Sequence, residues 1–407
     1  MPTAESPLPR IIWVAAHPPV PPFSGATGKT LCGIQALAAA TAVEVVSFAA
    51  PGSEDELAAA FVGYWGSRSV TCHWLRLGPR PGRMRALLSG RFQWGLQLEQ
   101  SPLSLLLDKL DWSRPEHLLV FDDIALAPFL ARFGGNAIIS PHDCMSKMFH
   151  SHLSGSRSRA EAARYLVQSV LARRYERSFF HLALLTHVVT QRDRVWLETI
   201  NPRARFEVVA NADLLNPGLT ATAPNGWDLL VWGDLGIGSI ARGARAFLAA
   251  AGEQGWLGIT RVRVVGRAAA ADARRILGSG LFSQVTYAPQ LEGGDGRIQH
   301  ARIVVIPDIG GAGIKNRCVN ALSSGKCLAC LYPQMEGVEK ACDQGAINAG
   351  DSADLARRVQ RALAQGTWEA TARKGQEIYR GAYGLESIFG QWRHMVARAV
   401  AIRDHGD

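Results

Sequence analysis

No stretch of this chain offers the ~18 consecutive apolar residues that a membrane-spanning helix needs. The opening MPTAESPLPR lacks the charged-then-apolar order of a secretory signal. The run IIWVAA (11–16) is too short to be one and leads directly into Pro18, Pro19, Pro21 and Pro22. The expected setting is the cytoplasm. The cysteines number seven, an odd count at scattered positions, which excludes a disulfide framework. Cys327 and Cys330 form a C-x-x-C, yet no second pair or histidine stands nearby at zinc-ligand spacing, and the surrounding KCLACLY reads as a buried strand. His17, His73, His117, His150, His152, His181 and His187 show no metal spacing either, and His150 and His152 fall in an apparent loop. No Asp-x-Asp closes a strand. Asp122 and Asp123 in VFDDIAL are adjacent rather than alternating, so metal binding there is the weakest reading beside a solvated strand end or a base for an acceptor hydroxyl. No metal ligand and no cofactor are expected.

Acidic residues are missing between Glu56 and Glu99, where Arg68, Arg76, Arg80, Arg83, Arg85 and Arg91 stand with Trp65, Trp74 and Trp94 among them. Two readings compete. One is a solvated basic loop. The other, over residues 65–94, is a docking patch for an anionic membrane surface or acceptor, since basic and aromatic side chains together suit a headgroup layer. No nucleic-acid motif accompanies the patch, so nucleic acid is not an expected partner.

What is present is an ordinary globular composition. The 407 residues are 47% hydrophobic and 19% charged, enough for two domains, and the net charge of +9 favours anionic partners. Short apolar runs alternate with helical patterns. Strands are expected at 11–16, 43–48, 70–75, 117–121, 136–140, 183–189 and 206–209, and again at 228–232, 261–265, 284–287, 302–306, 326–331 and 345–348. Such alternation means α/β architecture with parallel sheets covered on both faces. Residues 214–226, LLNPGLTATAPNG, have no apolar period and read as a linker. The expected division is therefore 1–216, 217–385, and a C-terminal helix and tail over 386–407. Two doubly wound domains would face a cleft at the carboxyl ends of their strands, where such sheets bind ligands.

Two glycine turns invite phosphate. PPFSGATGKT (21–30) resembles the end of a triphosphate-binding loop, but Phe23 occupies the position of its first glycine, so a kinase or ATPase is the weakest reading. Gly28, Lys29 and Thr30 then read as the first turn of an ordinary helix, where substituting Lys29 should matter little. The second stretch, PDIGGAGIKNRCVNALSSG (307–325), runs strand, glycine turn (Gly310, Gly311, Gly313), helix. Backbone N–H groups can approach an anion there, with Lys315 in the first helical turn. A lysine at that end opposes the helix dipole unless an anion is bound, and a contact at about 4 Å is worth roughly 4 kcal/mol per unit charge before desolvation.

GAGIKNRCVNALSSGKCLACL resembles the donor-binding segment of the group-one (family 4-like) glycosyltransferases, which have the GT-B fold. Weaker matches follow in the family's order: HPPVPPFSGA, SPHDCMS, RRYERSFFHLALLTHVVTQRDRVWL, VVANADLLNP, LLVWGDLGIGSIARGARAFL and YPQMEGVE. The resemblance implies two Rossmann-like domains facing a cleft, with a C-terminal helix returning to the first. It implies sugar transfer from a nucleotide-sugar donor to a glycan, lipid-linked or natural-product acceptor, with retention and without metal. It places His142, Asp143 and Lys315 in the catalytic set. Gly25, Gly233, Arg242, Gly311, Gly313, Lys315, Asn320 and Glu336 go to the donor, and Asp193 and Asn211 to further motif positions. Two departures stand out. Ala312 and Asn320 replace a pair of glutamates, and an amide gives up charge-assisted strength toward ribose hydroxyls. They support a rival reading: a weak or non-enzymatic homologue that binds a nucleotide sugar or a partner transferase.

Overall fold

The structure is a computed structural model that describes residues 8–21, 25–66, 69–153, 156, 158–213, 226–289, 296–310, 312–332 and 335–406. The expected linker therefore lies almost wholly outside the described residues. The chain divides into two compact units. The first takes Met1–Phe149, Leu166–Ala210 and Ile388–Asp407; the second takes His150–Tyr165 and Asn211–Ser387.

The first unit is built on β1 (Arg10–Ala15), β2 (Val43–Ala49), β3 (Val70–Arg76), β4 (His117–Asp122), β5 (Ala137–Ile139), β6 (Leu185–Val188) and β7 (Phe206–Val208). They form one parallel sheet in the order β3-β2-β1-β4-β5-β6-β7. β1 is buried at every position after Arg10, and β2 along its whole length. That is why these strands read as unbroken apolar runs rather than alternations: helices cover both faces of the sheet. Between β1 and β4 the strand order reverses, so the loops after those strands diverge and open a crevice at their carboxyl ends.

The helix Leu385–His405 belongs to this unit from Ile388 onward. Trp392 packs on Trp13 with ring centroids 5.3 Å apart and on His187 at 4.6 Å. Arg403 donates to the carbonyl of His117 at 2.9 Å, and Arg398 pairs with Glu207. The last helix thus closes the face where β1 lies, as the resemblance implied.

The second unit repeats the plan with β8 (Trp227–Trp232), β9 (Val262–Gly266), β10 (Thr286–Pro289), β11 (Ala301–Ile306), β12 (Cys327–Leu331) and β13 (Ala346–Ala349), all parallel, in the order β10-β9-β8-β11-β12-β13. It has its own apolar core around Val231, Phe247, Val264 and Val305.

The cysteines of the C-x-x-C lie in a buried strand as expected, whereas several other expectations need correction. Cys327 and Cys330, three apart on β12, point to opposite faces of the sheet. The neighbour of Cys330 is Cys342, with sulfurs 3.4 Å apart, and burial pushes the Cys327 thiol up to about 12. His150 and His152 lie in the helix Met145–Leu153, not in a loop. The basic segment is not a plain loop either, since it carries the helices Arg83–Leu88 and Gln93–Glu99. Its tryptophans do not face out as headgroup anchors. Trp65 is buried and donates to the carbonyl of Pro19 at 3.2 Å, Trp74 packs edge-on against Phe61, and Trp94 stacks on His17.

Candidate functional site

In the first unit the carboxyl ends of β1, β4 and β5 gather the polar side chains. Gly25 opens the helix Gly25–Ala38, which brings Lys29 and Thr30 down onto the end of β4. Lys29 is 2% exposed, and its Nζ lies 3.0 Å from Asp122 Oδ1 and 2.9 Å from each of Ser140 Oγ, the Ser140 carbonyl and the Pro141 carbonyl. Thr30 also donates to Asp122, and Trp13 Nε1 donates to it at 3.3 Å. Asp122 is therefore no solvated strand end, and Lys29 is no ordinary helix residue. With its ammonium committed to Asp122 and two carbonyls, Lys29 has no donor left for a triphosphate, and the kinase reading loses its only support.

The network continues from Ser140 Oγ to His187 Nδ1 at 2.9 Å, and from His187 Nε2 to the Val209 carbonyl at 2.9 Å. Burial, then the Lys29 charge, pushes His187 down to about 3, so its ring is neutral. Burial alone would raise the Asp122 carboxyl. The Lys29 charge, the His142 ring and the hydrogen bonds from Thr30 and Lys29 outweigh it, and the net direction is down.

His142 stands in the turn after β5, with Asp143 half-buried beside it. Burial and then the Lys29 charge hold its imidazole below the ordinary histidine value. Neither ring nitrogen has a hydrogen-bond partner among the described residues. His142 Nε2 lies 3.5 Å from Asp123 Oδ2, and His17 Nε2 lies 3.7 Å from the same oxygen. Sequence spacing joined none of these three residues, because each follows a different strand. Asp193 sits in a capping turn, where its N–H donates to Thr190 Oγ1 at 3.0 Å and its carboxylate takes Lys147 at 3.0 Å.

In the second unit, the turns after the neighbouring strands β8, β11 and β12 carry most of the expected donor residues. Gly313 has φ +69°, a left-handed conformation that favours glycine. The helix after it begins at Asn316, so Lys315 is its extended N-cap rather than a first-turn residue, and Lys315 Nζ donates to the Ala312 carbonyl at 3.1 Å. Gly311 lies outside the described residues.

Arg317, which sequence reasoning passed over, is the first-turn cation. It pairs with Asp308 at 2.7 Å and donates to the carbonyl of Trp232. Gly233 lies directly beneath it: a Cβ there would sit 2.3 Å from Ile240 Cγ2 and 3.1 Å from Arg317 Nη1. Asn211 donates to Asn316 at 2.9 Å. Asn320 is half-buried further along the same helix, and Glu336 is buried beyond β12. Arg242 lies on the exposed side of the helix Gly238–Glu253.

No protein-family model and no curated protein matches this sequence. Solved structures do. HepE of Anabaena, in complex with UDP and glucose, is 15% identical with TM-score 0.61, over 96% of this chain and 99% of that one. A point mutant of S. aureus TarM, in complex with Fondaparinux, alpha-GlcNAc-glycerol and UDP, is 10% identical with TM-score 0.68, over 96% and 100%. The trehalose-6-phosphate synthase of Burkholderia multivorans is 14% identical with TM-score 0.62, over 98% and 100%. The chain has the GT-B fold. In GT-B terms the seven-stranded sheet is the amino-terminal unit and the six-stranded sheet the carboxy-terminal one. Each open GT-B sheet gathers polar residues near its reversal of strand order: Lys29, Asp122 and His142 in one, and Asp308, Lys315 and Arg317, beside Gly233, in the other.

Proposed function

We propose that this chain is a glycosyltransferase that takes a sugar from a nucleotide-sugar donor. The observation that carries the proposal is the second unit's anion cradle. The turn that holds Gly310 and Gly313 leads into a helix whose N-terminal end holds two cations, Lys315 and Arg317, beside a glycine strand end at Gly233. A helix N-terminus and two charges stabilise a departing nucleoside diphosphate, so the leaving group is neutralised by side chains rather than by a metal at the diphosphate. Transfer with retention, and a glycan, lipid-linked or natural-product acceptor, complete the reading. His142, its imidazole held below the ordinary histidine value by burial and its ring nitrogens without a hydrogen bond among the described residues, is suited to a sugar hydroxyl, with Asp143 beside it. HepE and TarM were solved with UDP, which makes uridine nucleotides the first donors to test.

We extend this reading to a peripheral place on an anionic membrane face. The helix Arg83–Leu88 exposes Met84 (67%), Leu87 (45%) and Leu88 (81%) beside Arg80, Arg83 and Arg85. Among the described residues no helix is long and apolar enough to cross a membrane.

A melting-temperature screen of nucleoside diphosphates and nucleotide sugars tests the donor reading. A saturable upward shift with one base is expected. No shift with any of them would sink it. Binding without hydrolysis or transfer would favour the non-enzymatic homologue that Ala312 and Asn320 suggest.

A further inference from the structure

We propose that His17, Asp123 and His142 form a binding site for one divalent transition-metal ion of the zinc class. The ligand atoms of the three residues all lie within 4.8 Å of one another. They come from the carboxyl ends of β1, β4 and β5, adjacent strands at the reversal of strand order. The site is thus held by the sheet itself and not by one flexible loop.

The spacing is informative. Asp123 Oδ2 stands 3.5 Å from His142 Nε2 and 3.7 Å from His17 Nε2, outside ordinary N–H···O hydrogen-bond range. Two ligands of a tetrahedral ion, each bound at about 2.0–2.1 Å, are separated by roughly 3.3 Å. The separations of 3.5 and 3.7 Å are close to that ligand–ligand spacing.

The surroundings fit an ion. Asp123 uses Oδ1 to accept from Ala125 N–H at 2.7 Å, which turns Oδ2 toward the histidines. Its neighbour Asp122 faces the other way, onto Lys29, so the buried Lys29 ammonium is already matched by a carboxylate. Both nitrogens of His142 are buried without a partner among the described residues. His17 is oriented by a parallel stack on Trp94, with centroids 5.8 Å apart and planes 6° from parallel. Its side chain is 47% exposed and gives the ion a way in from solvent. Two imidazoles and one carboxylate select zinc-class ions over magnesium or calcium, which prefer all-oxygen sets, and three protein ligands leave a position for water or a substrate oxygen. The site needs no assumption about sugar transfer.

The test is a Co²⁺ titration of the chelator-treated full chain, followed by visible absorption, with Zn²⁺ as competitor. One equivalent should bind, giving the spectrum of a low-coordinate ion that Zn²⁺ displaces. His17→Ala, chosen because His17 is half-exposed, and Asp123→Asn, which can still accept from Ala125, should each weaken binding at least about tenfold. Zn²⁺ should raise the melting temperature of the wild type and not of His17→Ala. A His150→Ala, His152→Ala double variant should bind like wild type. The proposal is overturned by absence of saturable one-equivalent binding, by wild-type affinity in His17→Ala, or by loss of binding in the double variant.

Discussion

The ammonium of Lys29 and the carboxylate of Asp122 face each other at 3.0 Å with side-chain exposures of 2% and 0%. Removing one member of such a pair strands the other charge in the interior, which typically costs about 3–5 kcal/mol. Lys29→Ala should therefore lower the urea-unfolding free energy by about that amount and lower the melting temperature accordingly. A variant as stable as wild type would show that the pair is not closed in solution.

Lys315 and Arg317 make separable predictions. Losing one charge-assisted hydrogen bond to a phosphate is worth about 1.5–3 kcal/mol, or roughly tenfold to a hundredfold in affinity. Lys315→Ala should weaken nucleoside-diphosphate binding on that scale and leave the fold stable, since the bond its ammonium makes, to the Ala312 carbonyl at 3.1 Å, stays within one turn. Arg317→Ala should weaken binding and also cost stability, because it removes the cation from the buried Asp308. Calorimetric titration with UDP beside urea unfolding separates the two. Equal nucleotide affinity in wild type and Lys315→Ala would remove the lysine from the donor site.

Acid dependence should come from two buried groups of opposite sign. His187 falls from 6.5 to about 3 in the folded chain, so the unfolded chain takes up its proton first and stability is lost as pH falls through that window. Burial raises Glu176 from 4.5 to about 7, so its contribution is intact below 4.5 and is lost as pH rises toward 7. Between 4.5 and 6.5 the two slopes, each on the order of 1 kcal/mol per pH unit, largely cancel. Glu176→Gln should uncover a stability that rises with pH across that interval. His187→Gln should tilt the slope the other way. Urea unfolding at several pH values reads both, and unchanged slopes in both variants would contradict the assignment.

For the membrane reading, Met84→Ser with Leu88→Ser should reduce sedimentation with phosphatidylglycerol vesicles severalfold while leaving the melting temperature unchanged, because both side chains are exposed. High salt should weaken wild-type binding, since the arginine contribution is screened. Equal sedimentation of variant and wild type would move the contact elsewhere.

The described strands were legible because a parallel sheet buried on both faces writes itself as short apolar runs, and IIWVAA and RIVVI are examples. The glycine turn before Lys315 was legible for a similar reason, since its signal is local. What stayed hidden depends on distance along the chain. Lys29 reads as an exposed helix residue until Asp122 and Ser140 are placed beside it. His17, Asp123 and His142 have no spacing because each is set by a separate strand. Arg317 was overlooked because its partner Asp308 lies across the turn, before the glycines. The helix Arg83–Leu88 was hidden by its arginines, which mask a helical pattern whose apolar members face outward.

Trp13 leaves the ribosome long before Trp392, which covers it and His187. About 380 residues separate them, which is roughly 20–80 s of synthesis at ordinary elongation rates. Trp13 lacks that cover throughout the interval, and His187 lacks it over the later half, from its own synthesis onward. A nascent-chain series should show this unit becoming protease-resistant only once residues 388–407 have emerged. A stop codon placed just before that segment would then harm the amino-terminal half of the protein more than the half it truncates.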